Sequence, residues 1–183
     1  MLKNSHKPHL DLAFDYWKHW LKPSDIVIDA TCGNGKDTLK LASLVPEGKV
    51  FALDIQETAL NNAKKIASLD NVSFHLHSHV SFPFPGPIKL IVYNLGYLPT
   101  GDKSITTLAE TTLQSLHAAL KCIFWGGALS LTCYPGHPQG LIEKEAILTF
   151  IQTLPLADWK ITLHEWESHR PCLIWLEKRL PSK

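Results

Sequence analysis

Short blocks of β-branched and apolar residues alternate with stretches of helical periodicity along most of this chain, and that order limits the fold more than any other feature. Apolar residues recur every three or four positions from Leu10 to Leu21, which predicts a first helix that Pro23 ends. Five strands are then predicted, at residues 26–28, 50–53, 72–76, 88–93 and 128–133. Further helices are expected around residues 39–44, 60–67, 107–120 and 141–154, and residues 107–110 have the capping-box pattern of a helix start. This alternation predicts a mostly parallel, doubly wound α/β sheet.

The end of the chain departs from the alternation. Residues 159–166 alternate in polarity and residues 172–176 follow after a short break, so these two strands cannot be parallel, because a parallel crossover needs a dozen or more residues. We therefore expect five strand–helix units followed by an antiparallel hairpin. A mostly parallel, seven-stranded sheet with an antiparallel C-terminal strand is typical of the Rossmann-like, class I S-adenosylmethionine-dependent methyltransferase fold, whereas dehydrogenases usually lack that strand. One domain is expected over residues 1–183, with residues 1–24 as an N-terminal helical segment.

Composition restricts the class of protein. The 183 residues include 18 Lys or Arg and 17 Asp or Glu, a net charge of +1, which gives no electrostatic argument for a nucleic-acid partner and none against a small local patch. No apolar run approaches the ~20 residues that cross a bilayer, and no signal-peptide pattern is visible, so we expect a cytoplasmic protein. The cysteines at positions 32, 122, 133 and 172 form no Cys-x-x-Cys pair and are expected to be thiols.

A glycine-containing turn after the first predicted strand is the strongest local signal. Residues 29–35 read Asp-Ala-Thr-Cys-Gly-Asn-Gly, in which Gly33 and Gly35 let the backbone turn tightly and approach a ligand without interference from a Cβ atom. Asp54 ends the second strand, where its carboxylate can accept hydrogen bonds from both hydroxyls of an adenosine ribose. Two glycines alone are typical of any tight turn, but the order strand, Gly-x-Gly, helix, strand and terminal acid favours cofactor binding.

The same motif indicates which cofactor fits. A dinucleotide site needs a third glycine at the position of Thr38, while a P-loop needs glycine in place of Ala30 and Ser or Thr in place of Asp37. Asp37 would repel a phosphate, whereas a phosphate-free, cationic ligand such as S-adenosylmethionine suits an acidic pocket. Asp29 and Asp37 are candidates for holding its methionyl ammonium, directly or through water. Asp37 has a second explanation, because a carboxylate in the first turn stabilises the helix dipole.

Residues 94–99, Asn-Leu-Gly-Tyr-Leu-Pro, follow the fourth predicted strand. Strand C-termini face the ligand crevice of a doubly wound sheet. An asparagine followed by glycine and an aromatic residue at this place resembles the Asn-Pro-Pro-Tyr loop of amino-group methyltransferases. In that loop the amide and backbone carbonyls accept hydrogen bonds from the target nitrogen and the ring stacks on the substrate, which suggests these roles for Asn94 and Tyr97. A plain strand-to-loop turn is the alternative.

Histidines alternate at positions 75, 77 and 79, so a strand would direct all three side chains to one face. A His-x-His pair can bind zinc, but no carboxylate accompanies these residues at a fixed spacing, and we expect no metal site. Ser78 and His79 instead belong to the loop after the third strand, which usually meets an adenine. Residues 134–138, Tyr-Pro-Gly-His-Pro, follow the fifth strand and form either a substrate loop or a simple proline–glycine turn.

These motifs together resemble one bacterial family. Residues 29–38, 54–56, 94–104 and 134–138 are similar to the tRNA 5-aminomethyl-2-thiouridine methyltransferase family, formerly described as rRNA methylases. The resemblance implies S-adenosyl-L-methionine as cofactor and N-methylation of the aminomethyl group on the tRNA wobble uridine, giving 5-methylaminomethyl-2-thiouridine. Residue patterns and resemblance assign catalysis to Asn94, Tyr97 and Asp102. They assign the cofactor site to Asp29, Gly33, Asn34, Gly35, Asp37, Thr38, Asp54, Gln56 and His79.

The implied chemistry needs a neutral amine, because an alkylammonium has a pKa near ~10 and cannot attack a sulfonium. Desolvation and acceptors such as the Asn94 side-chain oxygen favour the neutral form. Asp102 and His137 are candidates for receiving the proton. The expected partner is a tRNA anticodon stem-loop, and no membrane is expected. Candidate phosphate contacts are Lys3, Lys7, Lys18, Lys103 and Arg170.

Several alternatives stay open at this point. The chain departs from the family pattern at Thr100, which replaces a usual glycine, and at Pro135 and Gln139 in the loop after the fifth strand. A methyltransferase acting on rRNA or on a small-molecule amine is the first alternative. A nicotinamide-dependent dehydrogenase is disfavoured by the incomplete glycine motif and the terminal hairpin, and a non-catalytic RNA-binding subunit by the presence of Asn94 and Tyr97. Whether the chain forms a homodimer is also open.

Overall fold

The computed structural model describes residues 8–98, 106–167 and 169–181. The helices are α1 (Pro8–Trp20), α2 (Lys36–Leu44), α3 (Glu57–Ile66), α4 (Ala109–Cys122) and α5 (Pro138–Ile151). The strands are β1 (Ile26–Asp29), β2 (Lys49–Asp54), β3 (Val72–Leu76), β4 (Ile88–Asn94), β5 (Ile123–Cys133), β6 (Trp159–His164) and β7 (Cys172–Lys178). Within the described ranges, no helix is long and apolar enough to span a membrane.

All seven strands join one sheet in the order β3-β2-β1-β4-β5-β7-β6. The pairs formed among strands β1 to β5 are all parallel. Strand β7 is antiparallel to both β5 and β6 and lies between them, with Cys172 opposite Cys133 and Ile174 opposite Leu163. The predicted Rossmann-like, mostly parallel seven-stranded sheet with an antiparallel C-terminal strand is therefore confirmed.

The central strands are buried on both faces, which their near-continuous apolar sequences require. Successive side chains of a strand point to opposite faces. In β4, Ile91 and Tyr93 face a core that also contains residues of α4 and α5, whereas Leu90 and Val92 face a second core formed with α1 and α2. The sheet is thus covered by helices on both sides, and its strand ends are left to form loops.

Helix α1 covers part of one face through aromatic side chains. Trp17 is 2% exposed, and its Nε1 donates a hydrogen bond to Ser130 Oγ on β5 at 3.0 Å. The rings of Tyr16 and Trp20 lie 4.7 Å and 5.5 Å from the ring of Trp175 on β7, stacked in the first case and edge-to-face in the second. These contacts attach the first helix to two of the last strands, and each buried aromatic pair adds roughly 0.5–1.5 kcal/mol beyond its area burial.

One of the five predicted strand–helix units is wrong. No helix lies between β3 and β4 in this fully described stretch, since residues 77–87 contain three prolines that cannot propagate one. An aromatic side chain covers the sheet there instead: the Phe84 ring stacks on Phe51 of β2 at 4.4 Å.

Two helix starts also differ from expectation. The capping box predicted at residues 107–110 is wrong, because Leu108 is the N-cap of α4 and provides no side-chain cap. Helix α5 starts before the predicted residue 141, at Pro138, because the His137 side chain caps it by accepting a hydrogen bond from the Gly140 amide. Both corrections involve side chains beside the candidate site.

Candidate active site

Four parallel strands bring the predicted site residues to one edge of the sheet. Strand β1 ends at Asp29, β2 at Asp54, β4 at Asn94 and β5 at Cys133. The strand order reverses between β1 and β4, which is where the crevice of a doubly wound sheet opens. The turn after β1 and the loop after β4 therefore face each other across this crevice.

The glycine turn has the predicted backbone, but protein packing explains one of its glycines. Gly33 and Gly35 have φ values of 52° and 79°, in the left-handed region that glycine favours. A Cβ atom on Gly35 would lie 2.7 Å from Ala63 Cβ on α3, too close for any side chain. Gly35 is thus required by the approach of α3. A Cβ atom on Gly33 would lie 3.2 Å from Leu98, a tighter contact than most.

Asp54 links the two halves of the predicted cofactor site. Its Oδ2 accepts a hydrogen bond from the Gly33 amide at 2.8 Å, and its Oδ1 accepts one from the Gln56 amide at 2.9 Å. Each carboxylate oxygen has further lone pairs, which can accept the two hydroxyls of a ribose. The predicted cofactor residue Asn34 accepts a hydrogen bond from Asn62 Nδ2 of α3 at 3.4 Å. The turn is therefore tied to β2 and to α3.

Asp29 is buried beneath the turn, with 1% of its surface exposed. Its Oδ2 accepts a hydrogen bond from Thr38 Oγ1 at 2.6 Å, and its Oδ1 accepts one from the Thr31 amide at 3.3 Å. Burial raises the pKa of Asp29 to about 7, opposed by the Thr38 hydrogen bond, while the Asp37 charge raises it further. Its partner Thr38 is also buried, with no exposed surface, so the places of Asp29 and Thr38 in the cofactor site stay predictions.

Asp37 is the carboxylate that meets the loop after β4. Its Oδ2 accepts a hydrogen bond from Asn94 Nδ2 at 3.2 Å, and its Oδ1 lies 3.3 Å from Lys40 Nζ. The Asn94 backbone amide donates to Thr31 Oγ1 at 2.7 Å. With Nδ2 donating to Asp37, the Asn94 side-chain oxygen keeps its capacity to accept hydrogen bonds. The sequence did not indicate this contact between two predicted site residues.

Tyr134, directly after β5, forms a hydrogen bond with the Asn94 side chain. Burial raises the pKa of the Tyr134 hydroxyl well above its usual range, the Asp37 charge raises it further, and a hydrogen bond with the Asn94 side chain opposes the shift. The Tyr134 phenol is therefore neutral and cannot act as a base near neutral pH.

The glycine and the aromatic residue of the β4 loop also lie at the crevice. Gly96 has a φ of 125°, a left-handed conformation that requires glycine. Tyr97 is 36% exposed, its ring lies 5.3 Å from the His137 ring, and it pairs with Thr106 in an isolated antiparallel bridge. The predicted catalytic residue Asp102 and the family departure at Thr100 lie outside the described residues.

The geometry of His137 argues against the proton-acceptor role proposed for it. Its Nδ1 accepts a hydrogen bond from the Gly140 amide at 3.1 Å, as the N-cap of α5. A neutral imidazole that accepts at Nδ1 carries its proton on Nε2, so the second nitrogen is a donor. His137 can accept a proton only if the cap breaks. Its Nε2 is buried and has no hydrogen-bond partner within the described ranges.

The three alternating histidines have separate environments. The His75 ring packs 4.8 Å from Phe84, and His77 Nε2 lies 2.9 Å from Ser81 Oγ. Among the described residues, no group of three or more His, Cys, Asp or Glu side chains could hold a metal ion.

His79, predicted to lie near an adenine, faces the core. Its ring meets Tyr93 edge-on at 6.3 Å, and its Nε2 is buried without a hydrogen-bond partner in the described part of the chain. Burial lowers the pKa of His79 to about 4, so the ring is neutral near pH 7. Its backbone carbonyl accepts a hydrogen bond from Ser115 Oγ at 2.6 Å. A contact from the His79 side chain to a cofactor stays a prediction.

Sequence reasoning missed two residues at the crevice. Ile55 is 58% exposed directly after Asp54, and an apolar side chain beside a ribose acceptor offers a surface for a flat base. Its position next to the acid at the strand end was the available signal. Thr31 was missed because its partner, the Asn94 amide, is distant in sequence.

The family model described as "Putative rRNA methylase" matches residues 50–176. The chain is 37% identical to the chloroplastic tRNA (mnm(5)s(2)U34)-methyltransferase of Arabidopsis thaliana over 84% of this chain and 62% of that protein. The chain thus spans about three fifths of this curated relative.

Two solved structures are also similar. A "putative rRNA-methylase" from Clostridium thermocellum is 36% identical with a TM-score of 0.90, over 95% of this chain and 99% of that one. SMU.1697c, a "putative methyltransferase" from Streptococcus mutans solved in complex with SAH, is 32% identical with a TM-score of 0.85, over 94% of this chain and 99% of that one.

Proposed function

This chain belongs to the family described as "Putative rRNA methylase", and on that premise we propose that it is an S-adenosylmethionine-dependent methyltransferase. One observation carries the proposal. The Gly33 amide holds the Asp54 carboxylate by a hydrogen bond of 2.8 Å, and Asn94 donates to Asp37. Only β1 separates the strand that ends at Asp54 from the strand that ends at Asn94, so a ribose acceptor and an amine acceptor share one crevice. The Streptococcus mutans relative, solved with SAH, supports the cofactor class.

The residues of the crevice fit a cationic, phosphate-free cofactor. Asp54 would accept the ribose hydroxyls, and Ile55 would cover one face of the adenine. Asp37 is paired only with Lys40 and Asn94 among the described residues, and its carboxylate would attract the methionyl ammonium. A pyrophosphate would instead be repelled by Asp37. When bound, S-adenosylmethionine supplies an electrophilic methyl group on a positively charged sulfur.

We propose that the substrate is the aminomethyl group of 5-aminomethyl-2-thiouridine at the tRNA wobble position. The name of the Arabidopsis relative, tRNA (mnm(5)s(2)U34)-methyltransferase, supports this choice. The Asn94 side-chain oxygen is directed away from Asp37 and can accept a hydrogen bond from the amine, which favours the neutral, nucleophilic form. The half-exposed Tyr97 ring offers a stacking surface for the uridine. Anticodon-loop binding follows, since the modified base must be unpaired to enter the crevice.

Catalysis would then be mostly alignment. An amine held beside Asn94 would present its lone pair to the methyl group that the cofactor would supply, and the nitrogen would have to lose one proton. Asn94 holds the nitrogen in line while its own position is fixed through Thr31 and Asp37. The neutral Tyr134 and the capped His137 are poor bases here. Asp102 is kept as the proposed proton acceptor.

RNA binding would depend on few charges. Lys18 is paired with Asp15 at 2.7 Å, and Arg170 with Glu167 at 3.0 Å, so both cations are partly neutralised. The other candidates, Lys3, Lys7 and Lys103, lie outside the described residues. We propose a shallow salt dependence of RNA affinity, with recognition of the base providing much of the specificity.

The test is a methylation assay with purified protein, S-adenosylmethionine and two preparations of one tRNA, with and without the aminomethyl group on the wobble uridine. Nucleoside mass spectrometry should detect 5-methylaminomethyl-2-thiouridine only with the first. Equal methylation of both preparations would reject the wobble amine as the target. Methylation of rRNA or of a free amine in place of tRNA would leave the methyltransferase assignment and change the substrate.

A further inference from the structure

Glu143 of α5 is a buried acid next to the candidate site. It is 2% exposed, its Oε1 accepts a hydrogen bond from Thr112 Oγ1 at 2.6 Å, and its Oε2 accepts one from Thr107 Oγ1 at 2.9 Å. Burial raises the pKa of Glu143, and the two hydroxyl hydrogen bonds oppose that shift. A buried carboxylate is costly unless it is hydrogen-bonded, so this arrangement has a strict geometry.

Thr107 connects Glu143 to the β4 loop. Its Oγ1 accepts a hydrogen bond from the Gly96 amide at 2.8 Å, and its own amide donates to the Gly96 carbonyl at 3.0 Å. Both polar backbone groups of Gly96 are therefore bound by one threonine. On the other side of Gly96, the Leu95 amide donates to the Thr132 carbonyl at 2.9 Å.

The carboxylate also fixes the direction of these hydrogen bonds. A threonine hydroxyl has one proton, and a carboxylate can only accept, so the Thr107 proton points at Glu143. The hydroxyl lone pairs are then left for the Gly96 amide. Gly96 lies between Asn94 and Tyr97 and needs its left-handed conformation, so any rotation there moves both side chains.

We infer that Glu143 is a positioning residue, which acts through Thr107 and Gly96 to hold Asn94 and Tyr97 in place for the transferred methyl group. The inference rests on the proposed function for the identity of the reaction. Glu143 itself accepts hydrogen bonds from two threonines, Thr107 in the segment before α4 and Thr112 within that helix.

The experiment compares three variants with the wild type. Thr107→Val removes the hydroxyl while keeping the side-chain shape, Glu143→Gln removes the charge, and Thr107→Ser retains the hydroxyl. Thr111→Val is the matched control, because the Thr111 hydroxyl donates an exposed hydrogen bond to the Leu108 carbonyl, its one hydrogen-bond partner within the described part of the chain. The measurements are kcat and KM with modified tRNA, SAH affinity by calorimetry, thermal melting, and amide hydrogen exchange at Gly96 and Tyr97.

For Thr107→Val we expect kcat to fall about tenfold to a hundredfold, since small misplacements of positioning groups have effects of this order. SAH affinity should stay within about twofold, and the Gly96 amide should exchange faster. Glu143→Gln should show the same pattern more weakly, and Thr107→Ser and Thr111→Val should behave as wild type.

Two outcomes separate the inference from the proposed function. If folded Thr107→Val exchanges Gly96 as slowly as the wild type and keeps its kcat, the positioning role is overturned. If wild-type protein does not methylate the modified tRNA, the proposed reaction fails, while the exchange data still test whether Glu143 holds the loop. Should Glu143→Gln fail to fold, the comparison of Thr107→Val with Thr107→Ser decides the matter alone.

Discussion

The two halves of the crevice are held together in different ways. The cofactor half, formed after β1 and β2, is fixed by short backbone-to-carboxylate contacts such as Gly33 to Asp54. The amine half, formed after β4 and β5, depends on side chains from distant elements, including Asp37, Thr107 and Glu143. The first half is held by contacts between neighbouring strand ends, whereas the second half needs side chains from α2, from α5 and from the segment before α4. Variants in the two halves should therefore fail differently.

Asn94→Ala should show the largest loss of activity, and it should impair the amine half without affecting cofactor binding. Because the interaction with the amine matters as nitrogen aligns with the methyl carbon, kcat should fall on the order of a hundredfold or more while S-adenosylmethionine affinity changes little. Steady-state kinetics and calorimetry check this, with the exposed Asn61→Ala on α3 as control. Loss of cofactor binding in folded Asn94→Ala would make Asn94 a cofactor ligand and erase the distinction between the halves.

Asp54→Ala should break the cofactor half. It deletes charge-assisted hydrogen bonds to the ribose, so S-adenosylmethionine affinity should weaken by about 2–3 kcal/mol. NAD should bind neither protein. Calorimetry with the exposed Asp70→Ala as control tests this. Unchanged cofactor affinity, or NAD binding by the wild type, would contradict the assignment of this half.

Tyr97→Ala tests whether the Tyr97 ring binds the base or aligns the reacting atoms within the amine half. A stacking platform contributes about 1–3 kcal/mol per base, so KM for tRNA should rise roughly tenfold, with a smaller change in kcat. Tyr97→Phe keeps the ring and should restore most of the affinity. A fall in kcat at unchanged KM in Tyr97→Ala would instead make the ring an aligning group.

Asp29→Asn should change activity least, and its effect should instead appear in the pH dependence of stability. Burial raises the pKa of Asp29 from its ordinary value of 3.8 to about 7. Between these values the native state holds a proton that the unfolded chain has lost, so the free energy of unfolding falls as pH rises, by at most about 1.4 kcal/mol per pH unit. Urea denaturation from pH 4 to 8 should show a flatter profile for Asp29→Asn than for wild type or Asp70→Asn. Identical slopes would mean that Asp29 is ionised in the fold.

The difference between local and long-range contacts also explains which features could be predicted from the sequence. The succession of strands along the chain, the terminal hairpin, the Gly33 turn and the place of Asp54 follow from local patterns, and the fold and family are confirmed. Glu143 could not be found, because its partners Thr107 and Thr112 lie on another helix and in the segment before it.

Local patterns also misled where a tertiary contact competed. Thr107 has the sequence context of a helix cap, yet its hydroxyl accepts a hydrogen bond from the Gly96 amide and donates one to Glu143. The N-cap of α4 is therefore Leu108. The sequence could not show, for a related reason, that His137 accepts a hydrogen bond at Nδ1 and is therefore a poor proton acceptor. Its tautomer is set by the helix cap at Gly140, and a cap formed by the imidazole itself is not a sequence pattern that predicts helix starts.

The attachment of α1 to β5 and β7 has a consequence for synthesis on the ribosome. Trp17 emerges long before Ser130, and Tyr16 before Trp175, so the part of this helix that packs on β5 and β7 stays uncovered until those strands have been made. Contacts between such distant segments require closure of long loops, which slows folding. A nascent chain that stalls before β7 would leave the rings of Tyr16 and Trp20 without their partner Trp175.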